Sequence, residues 1–226
     1  MKSVCVAALA LLLVSISFPG CTQSLIYSPF VNLPPRPLVK KQTHIQAGVG
    51  YYPETRPHKA PDKTAAGGEA SFRVAICDHF TLQGKAWKDL SDYNADRWGA
   101  SMSNIAMLNG PSDFRLGLMP TAAFAFGLGE LQGGGGALRL CLWFTRYDPL
   151  DFYASLGPAF GIRGDGSSNR KWGWGVLGNV GAAVLVKDHL SINLELSGIK
   201  QVNEYEDKNN YFVCPSVSIG YVSERR

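Results

Sequence analysis

The sequence predicts an all-β protein: a closed antiparallel transmembrane β-barrel of ten strands, with eight as the alternative count. Three observations lead there. Side chains alternate with a period of two over most of the chain after Thr43, the period of a strand. In 151–163, Phe152, Ala154, Leu156, Pro158, Phe160 and Ile162 fall on one side. Tyr153, Ser155, Gly157, Ala159, Gly161 and Arg163 fall on the other. Next, the two faces differ in kind, one nearly continuous in apolar residues and the other carrying Gly, Ser, Asn, Gln and Arg. A bilayer outside and a polar filling inside ask for that split. Last, short and long connections take turns, as in barrels with tight turns at one membrane face and loops at the other.

The elements follow in order. Met1-Lys2-Ser3 is a basic start, and Val4 to Val14 is an apolar run of eleven residues. A permanent spanning helix needs ~20 apolar residues, so 1–20 is read as an export signal peptide. The stretch Ser17-Phe18-Pro19-Gly20-Cys21 is similar to a bacterial lipoprotein box, which makes Cys21 the candidate lipid attachment site. Phe18 and Pro19 stand where that box usually has a small aliphatic residue and Ala or Ser, so ordinary signal-peptidase cleavage near Gly20 remains the alternative. Residues 21–42 form an extended leader with Pro34, Pro35 and Pro37, read as a tether beside the barrel rather than a packed element. The barrel proper is 43–222, and 223–226 is a solvated tail.

Strands are expected near 43–52, 68–77, 79–87, 98–107, 113–126, 135–146, 151–163, 172–186, 189–197 and 210–221. The fourth alternates poorly over 101–108, and without it, if 88–112 is mostly loop, the count falls to eight. Tight turns are read at Cys77-Asp78-His79, Asn109-Gly110-Pro111-Ser112, Tyr147-Asp148-Pro149-Leu150 and Lys187-Asp188-His189, where Asp, Gly and Pro supply turn chemistry. The connections 53–67, 88–97, 127–134, 164–171 and 198–209 read as longer loops. A faint internal echo relates 74–83 to 184–193, each reading strand, Asp-His turn, strand.

The outward face collects Phe72, Val74 and Ile76; Leu138, Leu140, Leu142 and Phe144; Val176, Val180, Ala182, Val184 and Val186; Leu190, Ile192, Leu194 and Leu196; and Tyr211, Val213, Val217, Ile219 and Tyr221. A Lys or Arg at mid-bilayer would cost about 2–4 kcal/mol, and this set has none. The inward face holds Gln46, Gln83, Asn179 and Asn193 with a candidate polar network of Glu69, Arg73, Lys85, Arg115, Arg139, Arg163 and Glu195. Buried charges must be paired or solvated. We therefore expect Arg73, Arg115, Arg139 and Arg163 to pair with Glu69 and Glu195 as internal glue in a filled barrel, with a narrow anion-preferring pore as the alternative. Tyr51, Tyr52, Trp87, Trp98, Trp172 and Trp174 near the loops, and Phe80, Tyr147, Phe152 and Tyr221 near the turns, read as interfacial girdles.

Other chemistry is set aside. Net charge is +4 and spread along the chain, so no nucleic-acid footprint is present. Cys77, Cys141 and Cys214 have no CxxC spacing and fall on inward faces, where a thiol is a small apolar filler. His44, His58, His79 and His189 are isolated, so no metal site is expected, and no cofactor. His189-x-Ser191 with Glu195 has a spacing superficially similar to lipid A deacylases, but Ser191 and Glu195 face the lumen near a turn. Gly133 to Gly136 lacks the Lys of a phosphate loop and reads as a flexible entry to the sixth strand. No catalysis is expected. A soluble lipocalin-like barrel is the second class, with the apolar face turned inward around a ligand.

Cys21, Leu25-Ile26-Tyr27-Ser28-Pro29, Asn32-Leu33-Pro34, Lys40-Lys41 and Val74-Ala75-Ile76-Cys77-Asp78-His79-Phe80 together resemble small outer-membrane β-barrel proteins of the Bacteroidetes type, often lipoproteins. The resemblance covers most of the mature chain. It implies residence in the outer membrane of a Gram-negative cell envelope, contact with outer-membrane lipid, and handling by the barrel-assembly machinery. It names no soluble partner and carries no established reaction. Many such barrels end on an aromatic residue, whereas Tyr221 is followed by five more residues here.

Overall fold

The computed structural model describes residues 33, 36–53, 64–90, 98–110, 112–127, 130–147, 149–163, 171–186, 189–203 and 206–223. They form ten strands: β1 (Thr43–Pro53), β2 (Thr64–Cys77), β3 (Phe80–Asp89), β4 (Trp98–Met107), β5 (Phe114–Gly127), β6 (Glu130–Tyr147), β7 (Leu150–Arg163), β8 (Lys171–Val186), β9 (Leu190–Asn203) and β10 (Glu206–Val222). Each pairs antiparallel with its sequence neighbour, and β1 pairs with β10 to close the barrel. Closure leaves no sheet edge with unpaired N–H and C=O groups, which is what allows strands to cross a bilayer. The count is ten, and 88–112 contributes a full strand in β4.

The weak alternation of β4 has a structural cause. Its ladder to β5 runs from Trp98 to Ser103 and resumes at Ala106, opposite Leu118. Pro120 of β5 falls in the gap and has no N–H to donate. Asn104 and Ile105, freed from strict alternation, are both buried.

Two expected loops are strand. Gly133, Gly134, Gly135 and Gly136 pair with Ala125, Phe124, Ala123 and Ala122 of β5 on one side and with Arg163, Ile162, Gly161 and Phe160 of β7 on the other. A Cβ on Gly136 would sit 3.0 Å from the Phe160 ring, so the aromatic covers the bare backbone. Likewise β9 and β10 run to Asn203 and from Glu206, which shortens the connection expected at 198–209. Glycine and polar content reads as loop in isolation, but a ladder in a barrel needs only backbone partners.

The faces sort as the alternation requires. Ile45, Val49, Phe72, Ile76, Leu156, Val180, Ile192, Leu194, Val213, Val217 and Ile219 are exposed on the outside. His44, Gln46, Arg73, Gln83, Asn179 and Asn193 are buried inside. A soluble ligand-binding barrel would show the reverse, so the lipocalin-like alternative is excluded. Trp98, stacked on Phe126 with ring centroids 4.3 Å apart, and Trp174 and Tyr51 ring the loop end. Two expected girdle residues are not there: Trp87 and Phe80 are buried. Trp87 has the inward parity of Gln83 and Lys85 in β3, and its ring lies over Gly99 of β4.

Candidate functional site

The barrel interior is the site with functional character, and the chain itself fills it at three levels. At the turn end the filler is the leader. Leu33 is fully buried against Ile105, Met119, Cys141, Trp143, Tyr153 and Ala183, with Met107 packed alongside. Arg36 donates from Nε to Asp151 Oδ2 at 2.5 Å and from Nη2 to Oδ1 at 3.2 Å. This fork-on-carboxylate geometry is the strong form of an ion pair, and Asp151 is 0% exposed. Leu38 is buried as well. The Lys40 N–H donates to Asp78 Oδ1 at 2.8 Å, which gives the first Asp-His turn a role as a docking point. A turn then redirects the chain into β1: the Gln42 N–H donates to the Val39 carbonyl at 3.0 Å, the Gln42 side chain accepts from the Val39 N–H, and Lys41 sits at φ 72°.

The described leader is therefore a plug, not a tether beside the barrel. Sequence reasoning missed it because Pro-rich segments have no periodicity. The available signals were two isolated leucines and an arginine, Leu33, Arg36 and Leu38, and an acid at the turn end of an inward face, Asp151.

The middle level is polar. Arg73 of β2 donates from Nε to Gln83 Oε1 at 3.1 Å and from Nη1 to Gln46 Oε1 at 2.6 Å. The same Nη1 lies 2.6 Å from His44 Nδ1. A guanidinium only donates, so Nδ1 accepts and the neutral ring carries its proton on Nε2. The network continues as Gln46 Nε2 donates to Ser218 Oγ at 2.6 Å and Asn193 Nδ2 to the same oxygen at 3.2 Å. Five consecutive strands around the wall, β3, β2, β1, β10 and β9, are thus linked through one guanidinium. His44, which looks isolated in sequence, is a member of this network, and its ring lies over Gly220 beside Ser191.

Charges elsewhere are held as follows. Lys85 Nζ is 3.1 Å from Glu69 Oε2, both deeply buried. Glu195 Oε1 accepts from Ser197 Oγ at 2.7 Å and lies within electrostatic reach of Arg73, Lys85 and Arg139. Arg139 Nη2 donates to Thr121 Oγ1 at 3.3 Å and touches the Met119 sulfur at 3.4 Å, while Thr121 and Ser103 share a hydrogen bond of 3.0 Å. Arg115, at the turn end, approaches the Asp78 carbonyl at 3.5 Å. Of the expected Arg-to-Glu arrangement, then, Glu69 meets Lys85 directly, and Arg73 bonds to amide and imidazole acceptors with Glu69 in electrostatic reach. The Arg163 side chain and Cys21 lie outside the described residues.

Large side chains fit because the strands facing them carry glycine. A Cβ on Gly181 would lie 2.3 Å from the Tyr153 ring, and one on Gly99 would lie 2.4 Å from the Trp87 ring. Trp87 packs with Ala125 and closes the loop-end level. Ser191 and Glu195 are buried in the lumen, while the His189 ring lies 6.2 Å from that of Tyr221 at the turn rim. Among the described residues no cluster of His, Cys, Asp and Glu could hold a metal.

These features define a closed ten-strand antiparallel barrel of the outer-membrane type, apolar outside and filled with polar and aromatic side chains inside. No family model matches the chain, and no curated protein matches it in sequence. Among solved structures it is similar to an outer membrane channel from Pseudomonas putida F1, at 11% identity and a TM-score of 0.55 over 86% of this chain and 100% of that one. It is also similar to the outer membrane protease OmpT from Escherichia coli (10% identity, TM-score 0.44, 80% and 94% covered). A third is Ail, the attachment invasion locus protein of Yersinia pestis (11% identity, TM-score 0.38, 82% and 100% covered). At these identities the likeness is one of fold.

Proposed function

We propose that the protein is an outer-membrane barrel with a structural or interaction role in the bacterial envelope, its lumen plugged rather than conducting. The observation that carries this reading is the docking of Leu33, Arg36 and Leu38 in the turn-end mouth. The apolar outer band and the aromatic rim support membrane residence, and the resemblance to Bacteroidetes-type barrels supports the outer membrane. A shared fold with a channel from Pseudomonas putida does not carry conduction to this chain, because the contents of the lumen decide it. Here a fully buried Arg73 sits in the middle level, with Trp87 above and Trp143 below.

Planar-bilayer recording tests this. The full chain is expected to be silent. Steady anion-selective currents that change on Arg115→Ala or Arg139→Ala would establish the narrow pore instead. We further propose that Cys21 is lipidated, on the strength of its lipoprotein-like box. Leu33 lies twelve positions further along the chain, ~40 Å when extended, enough to return from the lumen to the membrane surface. Metabolic labelling with a fatty-acid analogue should mark the native chain and not Cys21→Ala; equal labelling of both, or none in either, refutes the anchor.

A further inference from the structure

The outer wall is not uniformly covered. On the apolar face, Gly178 of β8 pairs directly with Gly198 of β9, so two neighbouring strands lack side chains at one height. Leu156 of β7 pairs with Gly178 and its Cδ1 covers it, 2.9 Å from where a Cβ would stand, while Val213 of β10 pairs with Gly198, so the open floor lies at Gly198 between Leu156 and Val213. The result is a groove of about 700 Å³, walled by Leu140, Leu156, Val176, Val180, Leu196 and Val213. That volume falls within the roughly 300–1,000 Å³ typical of ligand clefts.

Lys200 lines the same groove at its loop-side end and is exposed on the outward face. It pairs with Val176 and Tyr211, one outward position below the row in which Trp174 meets Val202. It lies ten positions after Leu190, at the turn end of the same strand. A strand rising ~3.3 Å per residue and tilted ~40° covers about 25 Å vertically over that distance, the height of the apolar band itself. With Leu190 and Tyr221 at one boundary, Lys200 stands at the other, the level of lipid headgroups. A lysine there costs little, whereas at mid-bilayer it would be expelled.

We propose that this groove binds one phosphate-bearing acyl lipid of the leaflet on the loop side, an acyl chain lying over Gly198 between Leu156 and Val213 and the phosphate meeting the Lys200 ammonium. Charge complementarity selects this occupant: a second copy of the chain would bring its own Lys200 toward this end of the groove. The inference rests on the membrane-spanning reading given above.

Native mass spectrometry of the detergent-purified full chain tests it, with phosphatidylglycerol and uncharged diacylglycerol added in turn. The native protein should retain one phosphatidylglycerol. Lys200→Gln should weaken that retention about fivefold and leave diacylglycerol retention unchanged. Gly198→Leu, which fills the notch, should abolish both. Lys88→Gln, on the outward face of β3, should change neither. Phosphatidylglycerol retention equal in native, Lys200→Gln and Gly198→Leu proteins would overturn the proposal, as would a lipid-free dimer that Gly198→Leu dissociates. Heat-modifiable migration confirms that each variant is folded, so lost retention reads on the site. Failure of the membrane reading would show separately, as a monomer that stays in solution without detergent.

Discussion

Arg36→Ala and Leu33→Ala should each unseat the N-terminal plug, and Cys141 reports the event. That thiol is fully buried beneath Leu33 in the turn-end cluster. With the other cysteines replaced by serine, a water-soluble maleimide reaches it only when the plug leaves. Removing Arg36 strips a fully buried Asp151 of its forked partner. Breaking a fully buried pair costs about 3–5 kcal/mol. The Arg36 side chain is 39% exposed, so solvent screening reduces the value to about 2 kcal/mol. That corresponds to a roughly 30-fold larger open population, and labelling that depends on local opening should accelerate by the same factor. Leu33→Ala loses about 2–5 kcal/mol of buried contact and should accelerate labelling at least as much. Combining Arg36→Ala with Asp151→Ala should cost less than the sum of the single changes, since both remove one interaction. If Cys141 labels no faster in Arg36→Ala and Leu33→Ala than in the native chain, the segment does not cover the lumen and the plug reasoning fails.

Further outcomes follow from the lumen and the wall. Gly181→Ala forces the Tyr153 ring to move from a Cβ that would sit 2.3 Å away; it should lower stability by about 1–3 kcal/mol in urea unfolding, and adding Tyr153→Leu should recover most of the loss. Arg73→Met strands the Gln83, Gln46 and His44 acceptors together and should destabilise by roughly 3–5 kcal/mol, read as a lower melting temperature of the heat-modifiable form; an unchanged melting temperature would remove Arg73 from its central place. Leu194 is 62% exposed near the middle of β9. Leu194→Arg should cost about 2–4 kcal/mol in lipid vesicles, and Leu190→Arg, nearer the interface, no more than about 1; equal costs would contradict a bilayer around the wall.

The class of fold and the lipid-facing wall are legible in local sequence alone. A period of two with one apolar face is a local property, and it is enough to separate Leu194 from Asn193 and Phe72 from Arg73 without knowing any neighbour. Turn chemistry at Asp78-His79 and Pro149 then fixes where strands reverse. Pairing, however, is non-local. That Glu69 meets Lys85 and Arg73 meets Gln46 depends on the register of β1, β2 and β3, and that Trp87 lies flat inside depends on Gly99 standing opposite on β4. The glycine run 133–136 reads as loop in isolation and becomes strand because β5 and β7 offer partners on both sides. The plug was least legible of all. A Pro-rich segment has no periodic signal, and only closure of the barrel creates the mouth where Leu33 finds apolar walls and Arg36 finds Asp151 across 115 residues of chain.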